Sequence, residues 1–122
     1  MRVLLVEDTP SARLAFGKLL RLSGFDVYEA GDGQEALNCM ADFQPELILT
    51  DIMMPEIDGI ELIRRLHGDP ATASVPIVAI TATVHAERLA RDAGACDVIS
   101  KPIDFPMLLE RLDELKCDSN GT

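Results

Sequence analysis

The chain has no tryptophan, one tyrosine (Tyr28) and four phenylalanines among its 122 residues. So few rings leave little to sandwich a flavin. Basic residues are also scarce, 11 against 21 acids, for a net charge of −10. A surface that acidic is repelled by phosphate backbones, so direct nucleic-acid binding by this chain is not expected. No apolar run approaches the ~20 residues of a membrane span. The opening stretch, Met1-Arg2-Val3-Leu4-Leu5-Val6, is too short and too soon followed by acids to read as a signal peptide, which makes the cytoplasm the expected location. The three cysteines, Cys39, Cys96 and Cys117, are odd in number and lack metal-ligand spacing. Neither His67 nor His85 has an evident link to them, so they read as reduced thiols in core or surface positions. Internal repeats and low-complexity stretches are absent.

What is present is ordinary for a soluble globular domain: 48% apolar and 26% charged residues. A chain of this length forms one domain and buries about 65–70% of its unfolded surface. Short apolar runs at Arg2–Val6 and at residues 25–30, 47–50, 75–80 and 97–100 read as strands. Between them lie helical patterns. Thr9-Pro10 suits a helix start, with Ala12, Ala15, Phe16, Leu19 and Leu20 on one face and Gly24 as the stop. Asp32 and Glu35 resemble a capping box ahead of Ala36, Leu37 and Met40. Ile60, Leu62, Ile63 and Leu66 mark a third helix, and Ala86, Leu89, Ala90 and Ala93 a fourth that closes at Gly94. Asp104 caps a fifth, with Phe105, Leu108, Leu109, Leu112 and Leu115 facing inward. Residues 1–117 form the domain; the polar residues 118–122 read as a tail or the start of a linker. Strands alternating with helices imply a parallel sheet covered on both faces and joined by right-handed crossovers.

Parallel strands bring their carboxyl ends to one edge, where open α/β sheets bind ligands. The first strand ends in Glu7-Asp8, the third in Asp51, the fourth in Thr81 and the fifth in Lys101. Three carboxylates this close raise one another's pKa unless a cation is present. All-oxygen ligands without His or Cys favour Mg²⁺ over zinc. An ion of that kind, a lysine and a hydroxyl suit a phosphoryl group, whose transfer depends mainly on positioning and charge neutralisation. Taken singly, each residue has a plainer role: Glu7-Asp8 as helix-start acids, Asp51 as a turn residue, Thr81 as a cap, Lys101 as a surface lysine. Their joint placement at four strand ends is what points to a site.

Val-Glu-Asp at 6–8, Asp-Ile-Met-Met-Pro at 51–55, Asp58-Gly59, Thr81-Ala82 and Lys101-Pro102, in that order and spacing, resemble the receiver domain of two-component response regulators. The resemblance spans essentially the whole chain. It implies a doubly wound sheet in the flavodoxin-like order 2-1-3-4-5. It further implies that Asp51 accepts a phosphoryl group from a phosphohistidine. Asp8, Asp51 and the backbone carbonyl of Met53 would bind Mg²⁺, or Mn²⁺ in its place, with Glu7 acting through a metal-bound water. Thr81 and Lys101 would bind phosphoryl oxygens, and Lys101-Pro102 would be cis. Asp58 reads as a turn or cap residue, not an ion ligand. The implied partners are a sensor histidine kinase or a histidine phosphotransfer protein, then a downstream target or fused effector, with pairing of two copies on activation a habit of the family. The domain would be a switch and not a turnover enzyme.

One position departs from the pattern. Many receivers carry an aromatic residue three before the lysine, where this chain has Val98. Output is therefore expected to depend on the loop after Thr81 and on the helix that follows. Met53 and Thr83, neither an acid nor an amide, border the attacking water by resemblance, which implies slow self-dephosphorylation. Three competing readings are weaker. An aspartyl phosphatase of the dehalogenase type would want Asp-x-Asp on one strand, and Met53 stands two after Asp51. A flavodoxin-like redox protein would want a hydroxyl-rich phosphate loop where Glu7-Asp8 stand. A receiver that works without phosphate would be expected to lack some of the five key residues, all of which are here.

Overall fold

The computed structural model describes residues 1–52 and 58–121. Its elements are β1 (Arg2–Val6), α1 (Pro10–Leu22), β2 (Asp26–Ala30), α2 (Gly33–Phe43), β3 (Leu47–Asp51), α3 (Gly59–Gly68), β4 (Ile77–Thr81), α4 (Val84–Ala93), β5 (Asp97–Ser100) and α5 (Phe105–Gly121). The five strands form one sheet in the order β2-β1-β3-β4-β5, and every pairing is parallel. The flavodoxin-like order follows: the chain winds outward one way from β1 to β2, then crosses back to β3 and continues to β5.

Alternation along the strands divides the core in two, because successive side chains point to opposite faces. Val3, Leu5, Leu47, Leu49, Val78 and Ile80 pack with Leu20 of α1 and with Leu108 and Leu112 of α5. Leu4, Val6, Ile48, Ile77 and Ala79 pack with Ala36 of α2, Leu62, Ile63 and Leu66 of α3, and Ala86, Ala90 and Ala93 of α4. Burial on both faces explains why β3 and β4 are apolar runs and not alternating ones.

The helix caps follow the sequence closely. Asp32 accepts from the Glu35 N–H at 2.8 Å, while the Glu35 carboxylate reaches back to the Gly31 N–H at 3.1 Å. Asp58 caps α3 by accepting from the Glu61 N–H at 2.9 Å, and Asp104 caps α5 by accepting from the Met107 N–H at 3.3 Å. Thr9 stands at the N-cap of α1 but makes no side-chain cap bond. Three expectations need correction. The buried face of α1 is Gly17 and Leu20, with Phe16 packed beside them, whereas Ala12, Ala15 and Leu19 are exposed. The helical period was right and its phase was off: Leu20 and Phe16 pack with Val3 and Leu5, while the Arg13 side chain donates to the Glu7 carbonyl at 2.9 Å. On α4 the small residues Ala86, Ala90 and Ala93 are buried and Leu89 is 40% exposed, since α4 lies close against its neighbours. Finally, β4 begins at Ile77, so Val75 and Pro76 precede it. The helical backbone of α5 continues through Gly121.

Gly94, just past α4, has φ +127°, and a Cβ there would come within 2.5 Å of the His67 Cγ. The His67 Cβ would also be met, at 2.8 Å, and it is fixed to the α3 backbone, so this contact adds to the unfavourable backbone conformation. Gly94→Ala should lower stability by about 1–3 kcal/mol, read as a lower denaturant midpoint with unchanged m-value.

Candidate functional site

The carboxyl ends of β1, β3, β4 and β5 converge as the sheet order requires. Asp51 is the last residue of β3 and is only 5% exposed. Its partner in register is Ile80, so Thr81 lies one residue further along the adjacent strand. Glu7 and Asp8 follow β1, which pairs with β3 on the other side. The carboxylate oxygens of Glu7, Asp8 and Asp51 all fall within 4.8 Å of one another. Lys101, which follows β5, places Nζ 2.9 Å from Asp51 Oδ2. Four of the five residues expected to form the site are therefore in one cluster. The cis Lys101-Pro102 bond turns the chain at the same place.

Thr81 is 2% exposed, and its hydroxyl accepts from the Thr83 N–H at 3.1 Å. That bond turns it toward the start of α4. Asp58 serves as the cap of α3, as read from the sequence. Met53, assigned to the ion through its carbonyl, lies outside the described residues.

Two supports went unread in the sequence. Arg13 holds the β1–α1 loop by its bond to the Glu7 carbonyl. Gly59 packs against the backbone of Asp51 and Ile52: its N–H donates to the Ile52 carbonyl at 2.8 Å, and a Cβ there would strike the Asp51 carbonyl oxygen and the Ile52 Cα. The Asp-Gly pair at 58–59 signalled a turn; nothing local signalled that the turn presses on β3.

The electrostatics fit an oxygen-ligated divalent ion. Burial pushes the Glu7 carboxyl up to about 7; the Thr9 N–H opposes this, and the Asp51 charge and hydrogen bond add to it. Burial lowers the Lys101 ammonium, but its bond to Asp51 and the charges of Asp51, Glu7 and Asp8 hold it above its ordinary value. Three acids against one lysine leave an excess of negative charge that Mg²⁺ would offset, and hard carboxylate oxygens are the donors it takes. Because burial raises the Glu7 carboxyl to about 7, an ion entering the cluster competes there with a proton. Calorimetric titration should then show Mg²⁺ affinity rising about tenfold per pH unit up to about pH 7 and levelling above. The sign for folding is opposite. A carboxyl whose pKa is raised by folding stabilises the ion-free native state most at low pH, and that contribution is lost as pH rises through about 7. A flat affinity profile from pH 5 to pH 8 would contradict the assignment of Glu7.

A cavity of about 540 Å³ lies elsewhere, lined by Leu37, Met40, Pro45, Thr72 and Val75 among others, toward the opposite edge of the sheet. It holds none of these charged groups, so the candidate site is identified by its converging charges and not by volume.

The response regulator receiver domain family matches residues 3–113. Among curated relatives, the response regulator MprA of Mycobacterium tuberculosis is 38% identical over 117 residues, covering 94% of this chain and 50% of that protein. A DNA-binding dual master transcriptional regulator, RpaA of Synechocystis, is 33% identical, covering 93% of this chain and 48% of that protein. A gliding motility regulatory protein of Myxococcus xanthus is 39% identical over a region that makes up 15% of its length. The chain thus spans about half or less of these relatives. Among solved structures, the chemotaxis protein CheY4 of Vibrio cholerae superposes with a TM-score of 0.86 at 27% identity, covering 93% of this chain and 97% of that one. The receiver domain of a sensor histidine kinase from Pseudomonas aeruginosa, which has a magnesium ion coordinated in its active-site cleft, also gives 0.86, at 29% identity and with 93% and 95% of the two chains covered. With the motifs, the sheet order and the acid cluster in agreement, this chain belongs to the response regulator receiver domain family.

Proposed function

We propose that Asp51 is the phosphoacceptor of a two-component switch, taking a phosphoryl group from a sensor histidine kinase or a histidine phosphotransfer protein. The observation that carries this is the contact between a nearly buried carboxylate and Lys101 inside a cluster of acids. An oxygen of Asp51 attacks phosphorus. The P–O bond forms as the P–N bond of the phosphohistidine breaks, and the imidazole leaves with the electron pair and a proton. Glu7, Asp8 and Asp51 would hold Mg²⁺, or Mn²⁺ in its place, with the Met53 carbonyl completing the set and Glu7 acting through a water. The ion, when bound, offsets charge on the transferring phosphoryl group. Lys101 stays paired with the site and receives a phosphoryl oxygen, so the β5 end is charged correctly before and after transfer.

Phosphorylation takes Asp51 from about −1 to about −2. The added charge draws the Thr81 hydroxyl and its loop inward and biases an equilibrium between two conformations. The output passes to a downstream target or a fused effector. The relative named as a DNA-binding regulator supports the fused case.

The test uses a small phosphodonor such as acetyl phosphate and intact-protein mass. One phosphoryl group per chain should appear with Mg²⁺ and should fail to appear when the ion is chelated before the donor is added. Equal labelling without the ion would overturn the ion's role, and no labelling in any condition would overturn the function.

A further inference from the structure

The peptide that joins Glu7 to Asp8 belongs to both acids, so its orientation sets where both carboxylates start. Three bonds hold Glu7 in this turn. Its N–H donates to the Ala30 carbonyl at 3.0 Å, next to the end of β2. Its Oε1 accepts from the Thr9 N–H at 3.2 Å. Its carbonyl, the oxygen of the joining peptide itself, accepts from Arg13 Nη1 at 2.9 Å. Only this last bond has a side-chain donor. Arg13 stands in the first turn of α1, where its N–H donates to the Thr9 carbonyl at 2.9 Å, so the guanidinium is anchored in regular helix.

The same guanidinium lies beside the turn after β2. A Cβ on Gly31 would come within 3.0 Å of Arg13 Nη1, and within 3.5 Å of Glu35 Oε2. Half-buried Arg13 is therefore confined between the loop that carries the two acids and a glycine that leaves it room.

Charge and geometry give opposite expectations for this residue. A guanidinium near the acids repels an arriving dication, so by charge alone its removal tightens the ion. Mg²⁺, however, demands near-ideal octahedral coordination, so carboxylates that start from a loose peptide bind it less well. The Arg13 bond is charge-assisted at its donor and is of ordinary length.

We propose that Arg13 is a positioning residue for the ion: it fixes the Glu7–Asp8 peptide so that both carboxylates face Asp51, and the missing side chain at Gly31 lets the guanidinium stay there. The inference rests on the reading of Glu7, Asp8 and Asp51 as ion ligands.

The experiment is calorimetric Mg²⁺ titration of the wild type, Arg13→Ala, Gly31→Ala and the double variant, with melting curves to confirm that each is folded. Arg13→Ala should bind Mg²⁺ about fivefold more weakly, roughly what one hydrogen bond is worth. The Mg²⁺ concentration for half-maximal labelling by acetyl phosphate should rise by the same factor, while the rate at saturating ion stays within about twofold. Gly31→Ala keeps every charge and presses only on the far end of a flexible side chain, so its melting should hardly change. Its affinity should still fall, by about threefold, because a displaced guanidinium keeps only part of its bond. The double variant should bind no more weakly than Arg13→Ala alone. The proposal is overturned if Arg13→Ala binds Mg²⁺ as tightly as the wild type or more tightly, as charge alone requires. It is equally overturned if labelling at saturating ion falls while affinity holds, or if Gly31→Ala has no effect or acts in full without Arg13. Any of these, in a wild type that binds the ion, contradicts this inference alone. A wild type that binds no Mg²⁺ overturns the ion's place in the proposed function and this inference with it.

Discussion

Asp51→Asn should abolish Mg²⁺-dependent labelling, by at least about a thousandfold, while the domain stays folded. Asn has nearly the shape of Asp, but its amide is a poor nucleophile and brings no charge to an ion. Asp51 is 5% exposed and ends a strand paired on both sides, so the substituted side chain has nowhere else to go. The substitution removes the charge from the ion pair with Lys101, whose side chain is 38% exposed. A pair open to solvent on one side contributes little, so the stability change should stay within about 1 kcal/mol. Labelling is read by intact mass and stability by denaturant melting. Full labelling of the variant would place the acceptor elsewhere; a variant that fails to fold would show the Lys101 contact to matter more than its exposure suggests.

Gly59→Ala should be the most damaging small substitution near the site. The added carbon would meet the Asp51 carbonyl oxygen, with Ile52 Cα at 2.5 Å and Asp51 C at 3.1 Å. All three are backbone atoms. They are also held: the buried Thr50 hydroxyl donates to the Asp51 carbonyl at 2.9 Å, and the Ile52 N–H donates to the Ile80 carbonyl at 3.2 Å. Relief requires moving either the start of α3 or the end of β3. The first breaks the 2.8 Å bond from Gly59 to Ile52. The second displaces the Asp51 carboxylate from Lys101 and the two acids. A cost of about 3 kcal/mol or more is expected, in the range of an overpacked core. Because transfer depends on alignment, labelling of whatever remains folded should fall about a hundredfold. Wild-type stability with normal labelling would mean that α3 can retreat at no cost, contrary to the contact described here.

How much of this was legible beforehand differs from residue to residue. The order of elements was legible because each strand is a short apolar run and each helix carries caps of ordinary chemistry; Asp32, Asp58 and Asp104 cap as read. The gathering of Glu7, Asp8, Asp51 and Lys101 followed from parallel strands sharing one edge, and the structure brings these four together. The phase of α1 was not legible. A period fixes which residues share a face, but which face turns inward is settled by packing between elements, here of Leu20 and Phe16 with Val3 and Leu5. Leu89 was misplaced for a related reason: close packing of α4 leaves room for Ala86, Ala90 and Ala93 and turns the larger side chain outward. Gly59 could be read as part of a turn but not as a contact with β3, because its constraint comes from an atom eight positions earlier in the chain. Thr81 was read as a phosphoryl ligand; its bond to Thr83 depends on the local turn, which pattern alone does not specify.

The phosphoryl group is expected on Asp51. The most direct measurement is borohydride reduction of the labelled, Mg²⁺-loaded wild-type protein, followed by peptide mass mapping. Reduction converts an aspartyl phosphate to homoserine and leaves other residues unchanged. Conversion is expected at position 51 alone. Conversion at Asp8, or a phosphoryl group that resists reduction because it sits on Thr81, Thr83 or a histidine, would contradict it.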